Sequence, residues 1–269
     1  MTLALSEIWI YPIKSLGGIR LEKAVAKKKG LQHDRRWMLI DNTNVAMTQR
    51  VYPEMALFKP SIDGDRISIS YTRSGKIISS NRYDLSGPWK GERTTARIWD
   101  DLVEVKEVDP GVSEWFSAYL GTSCKLIAFP EENPRPVDVR YSVNSENVSL
   151  ADAYPFLVIG QSSLDDLNQR LTDAVPMNRF RPNFVFTGGT PFLEDQWRNV
   201  SIGGVRFVAV KRSDRCVITT IDQDTGEKES EPLRTLSNYR KVGNKVYFGH
   251  NMVALNEGEV CLGDGIIPG

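Results

Sequence analysis

The sequence predicts a mainly β fold, of barrels or sandwiches with a few short helices. Short β-branched and aromatic runs dominate the chain, the composition that suits pleated, half-buried strands. Turn signals separate them at close spacing, among them Asp41-Asn42-Thr43-Asn44, Asp63-Gly64, Ser74-Gly75 and Gly188-Gly189. Helical periodicity is confined to three short segments, too few for a doubly wound sheet.

Taken in order, Leu5–Tyr11 reads as a strand stopped by Pro12, and Trp37–Ile40 as a second. Ile67, Ile69 and Tyr71 alternate with polar residues between two turn signals, which predicts a hairpin. Ala96–Trp99 and Leu102–Val108 pair around Asp100-Asp101. Ser113–Leu120 is the first helix, with Val112, Trp115, Phe116 and Tyr119 on one face and Gly121 as its cap. Lys125–Phe129 is a strand, and Pro130–Pro136 (PEENPRP) is a boundary that neither pairs nor packs well. Ser162–Leu171 is an amphipathic helix whose start resembles a capping box, Ser162 and Ser163 preceding Asp165 and Asp166. Phe184–Thr187 and Ile202–Val210 are strands, and Val217–Ile221 is a further strand closing on Asp224-Thr225-Gly226. Pro232–Arg240 is a short helix; Val246–Phe248, Met252–Leu255 and Glu259–Leu262 end the chain as strands.

Lysine plus arginine equals aspartate plus glutamate at 34 each, a neutral balance that argues against nucleic-acid or anionic-membrane binding. The three cysteines, Cys124, Cys216 and Cys261, are odd in number and show no C-x-x-C spacing, which disfavours a disulfide framework or a cysteine-rich zinc site. A reducing, cytoplasmic location follows as an expectation. The opening MTLALSEIWIYPIKS carries Glu7 and no basic n-region, unlike a signal peptide. No run approaches the roughly 20 apolar residues of a spanning helix.

Four polar islands interrupt apolar strand ends: Lys14-Ser15, His33-Asp34-Arg35-Arg36, Asn178–Asn183 (NRFRPN) and Lys211–Cys216 (KRSDRC). A cation beside a buried strand needs a partner. A bound phosphate is one such partner, suited to forked pairing with Arg; a neighbouring carboxylate is the plain alternative. In the fourth island, cations precede the Cys216 thiol, and a flanking cation favours the thiolate that attacks carbon or binds a soft metal. Alternatively Cys216 is a small half-buried hydrophobe in a hairpin. No dinucleotide fingerprint, Walker A or G-x-S-x-G motif occurs, and nothing local pairs Cys216 with His33 or His250 as a protease base.

In this order, IWIYPIKS, DRRWMLID, FRPN, SDRCVITTIDQDTG, EPLRTLSNYR, YFGHNMVA and LGD resemble the MOSC family, closest in pattern to the mitochondrial amidoxime-reducing components and their bacterial relatives. The resemblance covers nearly the whole chain. It implies two β-barrel-like modules, a MOSC N-terminal barrel at 1–129 and a MOSC β-barrel at 130–269. It implies a molybdenum cofactor, a Mo-pyranopterin, in a basic cleft shared between them, with Cys216 as the molybdenum ligand and catalytic residue. By the same resemblance Lys14, Ser15, Arg35, Arg181, Asn183, Asp214, Arg215 and Asn251 stand at cofactor-contacting positions. Asp214 and Tyr154 depart from the eukaryotic pattern, which has serines there. The implied activity is reduction of small N-hydroxylated substrates, amidoximes and N-hydroxylated bases, with electrons from a separate carrier, ferredoxin- or cytochrome b5-like, or a reductase. Asp222 and Asp224 are candidates for proton delivery, a turn role being the alternative for Asp224. A sulfur carrier using a Cys216 persulfide is the rival function, and a non-catalytic cofactor-binding or storage protein the third.

Overall fold

The computed structural model describes residues 2–269 and is mainly β, as the turn spacing predicts. One sheet takes its strands in the order Ile266–Pro268, Asn199–Ile202, Val205–Asp214, Lys245–Ala254, Phe156–Gly160, Phe184–Thr187, Ala4–Ile10 and Ile19–Leu21, with Lys241–Val242 paired off the fourth. Phe156–Gly160 and Phe184–Thr187 run parallel, joined across the helix Gln161–Asn168; the sheet's other pairings are antiparallel. A second sheet orders Trp37–Asp41, Cys124–Ala128, Asp101–Glu107 and Arg93–Ile98. The predicted hairpin around Ile67 is the centre of a three-stranded sheet, Phe58–Asp63, Arg66–Arg73 and Lys76–Asp84. Gly258–Cys261 pairs with Lys23–Lys27 in the last sheet.

Two large apolar cores follow from this pairing. Leu5, Ile8, Ile10, Phe156, Phe184, Phe186 and Phe207 fill one. Ile13, Leu16, Trp37, Leu39, Phe58, Ile69 and Phe116 belong to the other. The chain passes from the first to the second through Pro12–Leu16, where the Lys14 N–H donates to the Trp37 carbonyl at 2.7 Å. That crossing lifts the Lys14-Ser15 turn to the junction of the two cores.

Several local expectations change. The first helix begins at Pro110, because Asp109 caps it by accepting from the Gly111 N–H at 2.8 Å and proline is at home in a first turn. Gln161–Asn168 has no capping box: Gly160 is its N-cap, and the Ser163 hydroxyl donates to the buried Glu194 carboxylate instead. Val217–Thr220 is a 3-10 helix rather than a strand, closed by the Thr219 N–H donating to the Cys216 carbonyl at 3.1 Å. Val246–Phe248 and Met252–Leu255 are one strand, Lys245–Ala254. The PEENPRP segment packs. Arg135 is buried, pairing with Asp101 at 2.8 Å and donating to the Ser149 carbonyl at 2.7 Å.

Candidate functional site

A cleft of about 750 Å³ opens at the junction of the two cores, and all nine residues singled out from the sequence line it. Lys14 and Ser15 come from the crossing turn and Arg35 from the loop ahead of Trp37–Asp41. Arg181 and Asn183 precede the strand Phe184–Thr187, Asp214 and Arg215 end the strand Val205–Asp214 and its continuation, and Asn251 lies within Lys245–Ala254. Cys216 begins the 3-10 helix, half-buried, at the cleft wall. Residues from both halves of the sequence therefore line one cleft together with Cys216.

The backbone is strained where it delivers three of these side chains. Ser15, Arg35 and Arg181 have φ of 65°, 51° and 55°, a left-handed region that costs an L residue roughly 1–2 kcal/mol. Such strain persists only where surrounding contacts over-determine it, and the contacts are present. The Arg35 and Arg181 guanidinium groups stack on the Tyr11 ring at 4.5 and 4.1 Å. Arg35 pairs with buried Asp34 at 2.6 Å and donates to the Arg181 carbonyl at 3.2 Å. Arg181 donates to the Leu16 carbonyl at 2.7 Å. The Asn183 amide is committed to the protein. It donates to the Trp9 carbonyl at 3.1 Å and accepts from the Leu157 N–H at 3.2 Å, so it pins the loop that carries Arg181.

Seven cationic side chains and three carboxylates line the cleft, giving it a positive character that the neutral total conceals. Burial pushes Arg181 down to about 10, Tyr11 drawing it up and Arg35 adding to the fall. Burial likewise lowers Arg215 to about 10, against the pull of Cys216 and Asp152. Arg215 donates to the Phe180 carbonyl at 2.5 Å, while its Nε is buried without a partner in the protein. Asp214 points to Lys245 at 2.8 Å. Burial works to raise its pKa, but the Lys245 hydrogen bond leaves it lowered.

Sequence reasoning missed a second set. Arg50 Nε donates to Cys216 Sγ at 3.3 Å, and Arg50 Nη2 pairs with Asp152 at 3.1 Å. Asp152 also holds Lys14, which itself donates to the Leu150 carbonyl at 3.0 Å. Trp99 lies beneath Arg50 at 4.7 Å and donates to Asp152 at 3.3 Å. Desolvation pushes the Asp152 carboxyl up, yet Lys14 and Arg50 outweigh it and hold it below the usual range, although about half of the side chain remains exposed to solvent. Burial lowers Lys14 in spite of Asp152. Arg50 follows Thr48 and Gln49 in a loop, and Asp152 follows Ala151 outside any strand, so no strand-end island marks them.

Other candidates lie elsewhere. Asp222 accepts from the Asp224 and Thr225 N–H groups at 2.8 and 2.9 Å and pairs with Arg179. It builds the turn, and exposed Asp224 pairs with Lys59; neither lines the cleft. His250 is buried with Nδ1 against the Glu194 carbonyl at 2.8 Å, and His33 lines a different cavity. Neither is placed to act as a base for Cys216. No helix among the described residues is long and apolar enough to cross a membrane.

Comparison with known proteins fits this architecture. The MOSC N-terminal beta barrel domain matches residues 2–123 and the MOSC domain matches residues 145–267. The mitochondrial amidoxime-reducing component 1 of Mus musculus is 31% identical over 96% of this chain and 80% of its own length. Its Homo sapiens counterpart is 30% identical over 96% and 81%. The molybdenum cofactor sulfurase of Arabidopsis thaliana is 31% identical over 91% of this chain, but over only 32% of the longer plant protein.

Proposed function

The chain belongs to the MOSC family, with the mitochondrial amidoxime-reducing components among its relatives, and on that premise we propose that it is a molybdenum-cofactor oxidoreductase. It reduces N-hydroxylated compounds, amidoximes and N-hydroxylated bases, with electrons from a separate carrier, ferredoxin- or cytochrome b5-like, or a reductase. The observation that carries the reading is the gathering of Lys14, Arg35, Arg181 and Arg215 around Cys216 in one cleft.

The donor set suits a Mo-pyranopterin. Cys216 offers one soft sulfur ligand, which a high-valent metal would hold deprotonated. The spare Arg215 Nε is a buried donor with no protein acceptor, and it and the Arg181 and Arg35 forks suit a phosphate or a pterin carbonyl. Lys14 adds a point charge and the Ser15 hydroxyl a short donor. Asn183 positions Arg181, and Asn251 presents an amide from the opposite strand. When bound, the molybdenum centre supplies two-electron oxygen-atom removal. The protein's part is to orient the cofactor, neutralise its phosphate and offer Cys216 at a fixed point. Arg50, held by Asp152, steadies the Cys216 sulfur through its Nε hydrogen bond. The two modules, 1–129 and 130–269, share this cleft rather than owning it separately. Three unpaired thiols suit a reducing, cytoplasmic compartment.

The sulfurase relatives favour one rival, a carrier that holds a persulfide on Cys216. Protein made in a cofactor-competent host and supplied with reduced viologen separates the two. Turnover of benzamidoxime to benzamidine that disappears in Cys216→Ala is the expected result. Inactive protein bearing cyanide-labile sulfur on Cys216 contradicts the reductase and establishes the carrier.

A further inference from the structure

Of the aromatic side chains that line the cleft, Tyr154 and Phe180 are buried, while Trp99 is 52% exposed. Its place in the chain does not suit its type. Ile98 pairs with Asp101, so Trp99 and Asp100 form the whole turn between the strands Arg93–Ile98 and Asp101–Glu107. A positive φ in a two-residue hairpin turn favours Gly, Asn or Asp. Trp99 takes that conformation with a large ring, at φ 56°, a strain of the kind that clusters at ligand clamps. Neither burial nor turn geometry calls for a tryptophan here, so what the position gains is the ring itself.

That ring is held in place. Its indole N–H donates to Asp152 at 3.3 Å, and the Arg50 guanidinium lies over it at 4.7 Å. Arg50 covers one face, and about half of the residue's surface stays open where it lines the cleft. The same Arg50 donates from Nε to Cys216 Sγ at 3.3 Å, so a single side chain separates the ring from the sulfur. An open aromatic face on a fixed mount is a stacking platform. With the Arg50 cation against the ring and the exposed Asp100 carboxylate next to it in the chain, neither sign of charge is favoured, and a neutral ring is the guest that fits.

On the reductase reading, on which this rests, we propose that Trp99 is a specificity-determining residue of the cleft. Its open face takes the neutral aromatic ring of an N-hydroxylated substrate by stacking, with the N–OH group toward Cys216. Aromatic amidoximes are preferred to aliphatic ones for that reason.

The test compares benzamidoxime with acetamidoxime, which carries the same reacting group without the ring. Protein from a cofactor-competent host is assayed with reduced viologen, and rates are taken per molybdenum. Trp99→Ala is expected to lower the ratio of kcat/KM for benzamidoxime over acetamidoxime roughly tenfold, through the KM of benzamidoxime. Trp99→Phe keeps a ring and should hold the ratio to within about threefold of wild type. A merely structural role, acting through Arg50 or Asp152, moves both substrates alike and leaves the ratio where it was. A second readout needs no turnover. Without viologen, the Trp99 indole N–H signal of 15N-labelled protein, identified by its absence from Trp99→Phe, should move saturably with benzamidoxime and far less with acetamidoxime. An unchanged ratio in Trp99→Ala, or an indole signal that answers both compounds alike, overturns the role of Trp99 and leaves the reductase in place. Wild-type protein that reduces neither compound contradicts the reductase itself, and the indole titration then decides the ring site alone.

Discussion

At the scale of single residues, the candidate site depends on guanidinium groups held under strain. Arg181 is the sharpest case, buried at φ 55° with its fork shared between the Leu16 carbonyl and the cleft. Arg181→Lys removes the fork and leaves the Leu16 carbonyl short of a donor. We expect a stability loss of about 1–3 kcal/mol and molybdenum content reduced to a minor fraction of wild type, read by thermal melting and metal analysis together. Asp152 gives a pH prediction. Its folded pKa lies below the unfolded value near 3.9, because Lys14 and Arg50 outweigh desolvation. A depressed carboxyl contributes stability above its unfolded pKa and loses it as pH falls. Asp152→Asn should therefore melt below wild type at pH 7, with the gap closing progressively beneath about pH 4; a gap constant with pH would refute it. The island before Cys216 stood out because cations crowd a strand end beside a thiol, but a small half-buried hydrophobe was the other reading of it, and the resemblance to the MOSC family gave the cysteine its role. Arg50, 166 positions from Cys216, was not, since only the fold brings it to the sulfur. The left-handed backbone of Ser15, Arg35 and Arg181 leaves no trace in composition, because none of them is glycine.

At the scale of elements, strands and turns were legible wherever alternation met a Gly or Asx turn. The hairpin around Ile67 and the strand Phe184–Thr187 are examples. Misreadings arose where a tertiary partner overrode local preference. The run from Val217 to Ile221 is β-branched, yet it coils into a 3-10 helix because the Cys216 carbonyl is taken by Thr219. Ser163, read as part of a cap, instead holds the buried carboxyl of Glu194, which burial raises against the help of Gly160 and Ser163. The helix Pro110–Leu120 ends where Gly121 adopts φ 65° with open space around its missing side chain. Gly121→Ala therefore tests backbone strain without a clash. It should cost about 1 kcal/mol, measured by chemical denaturation, with cofactor content unchanged.

At the scale of the whole molecule, the sheet pairing crosses the division between the two sequence modules. Ala4–Ile10 pairs with Phe184–Thr187, and Lys23–Lys27 with Gly258–Cys261. Each half therefore lacks strands that its core needs. Fragments 1–129 and 130–269 made separately should give poorly dispersed amide spectra, and refolding them together should restore native dispersion. A well-dispersed spectrum from either fragment alone would contradict the shared cleft. The pairing that crosses the modules was not legible from the chain, since strand partners so far apart in sequence carry no local signal; PEENPRP falls between the two matched family domains, and its Arg135 packs there. The central claim, that the Cys216 sulfur holds the metal of a cofactor gripped by cations from both modules, is tested most directly by molybdenum and pterin analysis. Wild type and Cys216→Ala are to be made side by side in a cofactor-competent host. The account predicts about one molybdenum per wild-type chain, with an equal amount of pterin, and at least roughly tenfold less metal in the variant. Wild-type protein free of molybdenum under those conditions, or a variant that keeps its full complement, would contradict it.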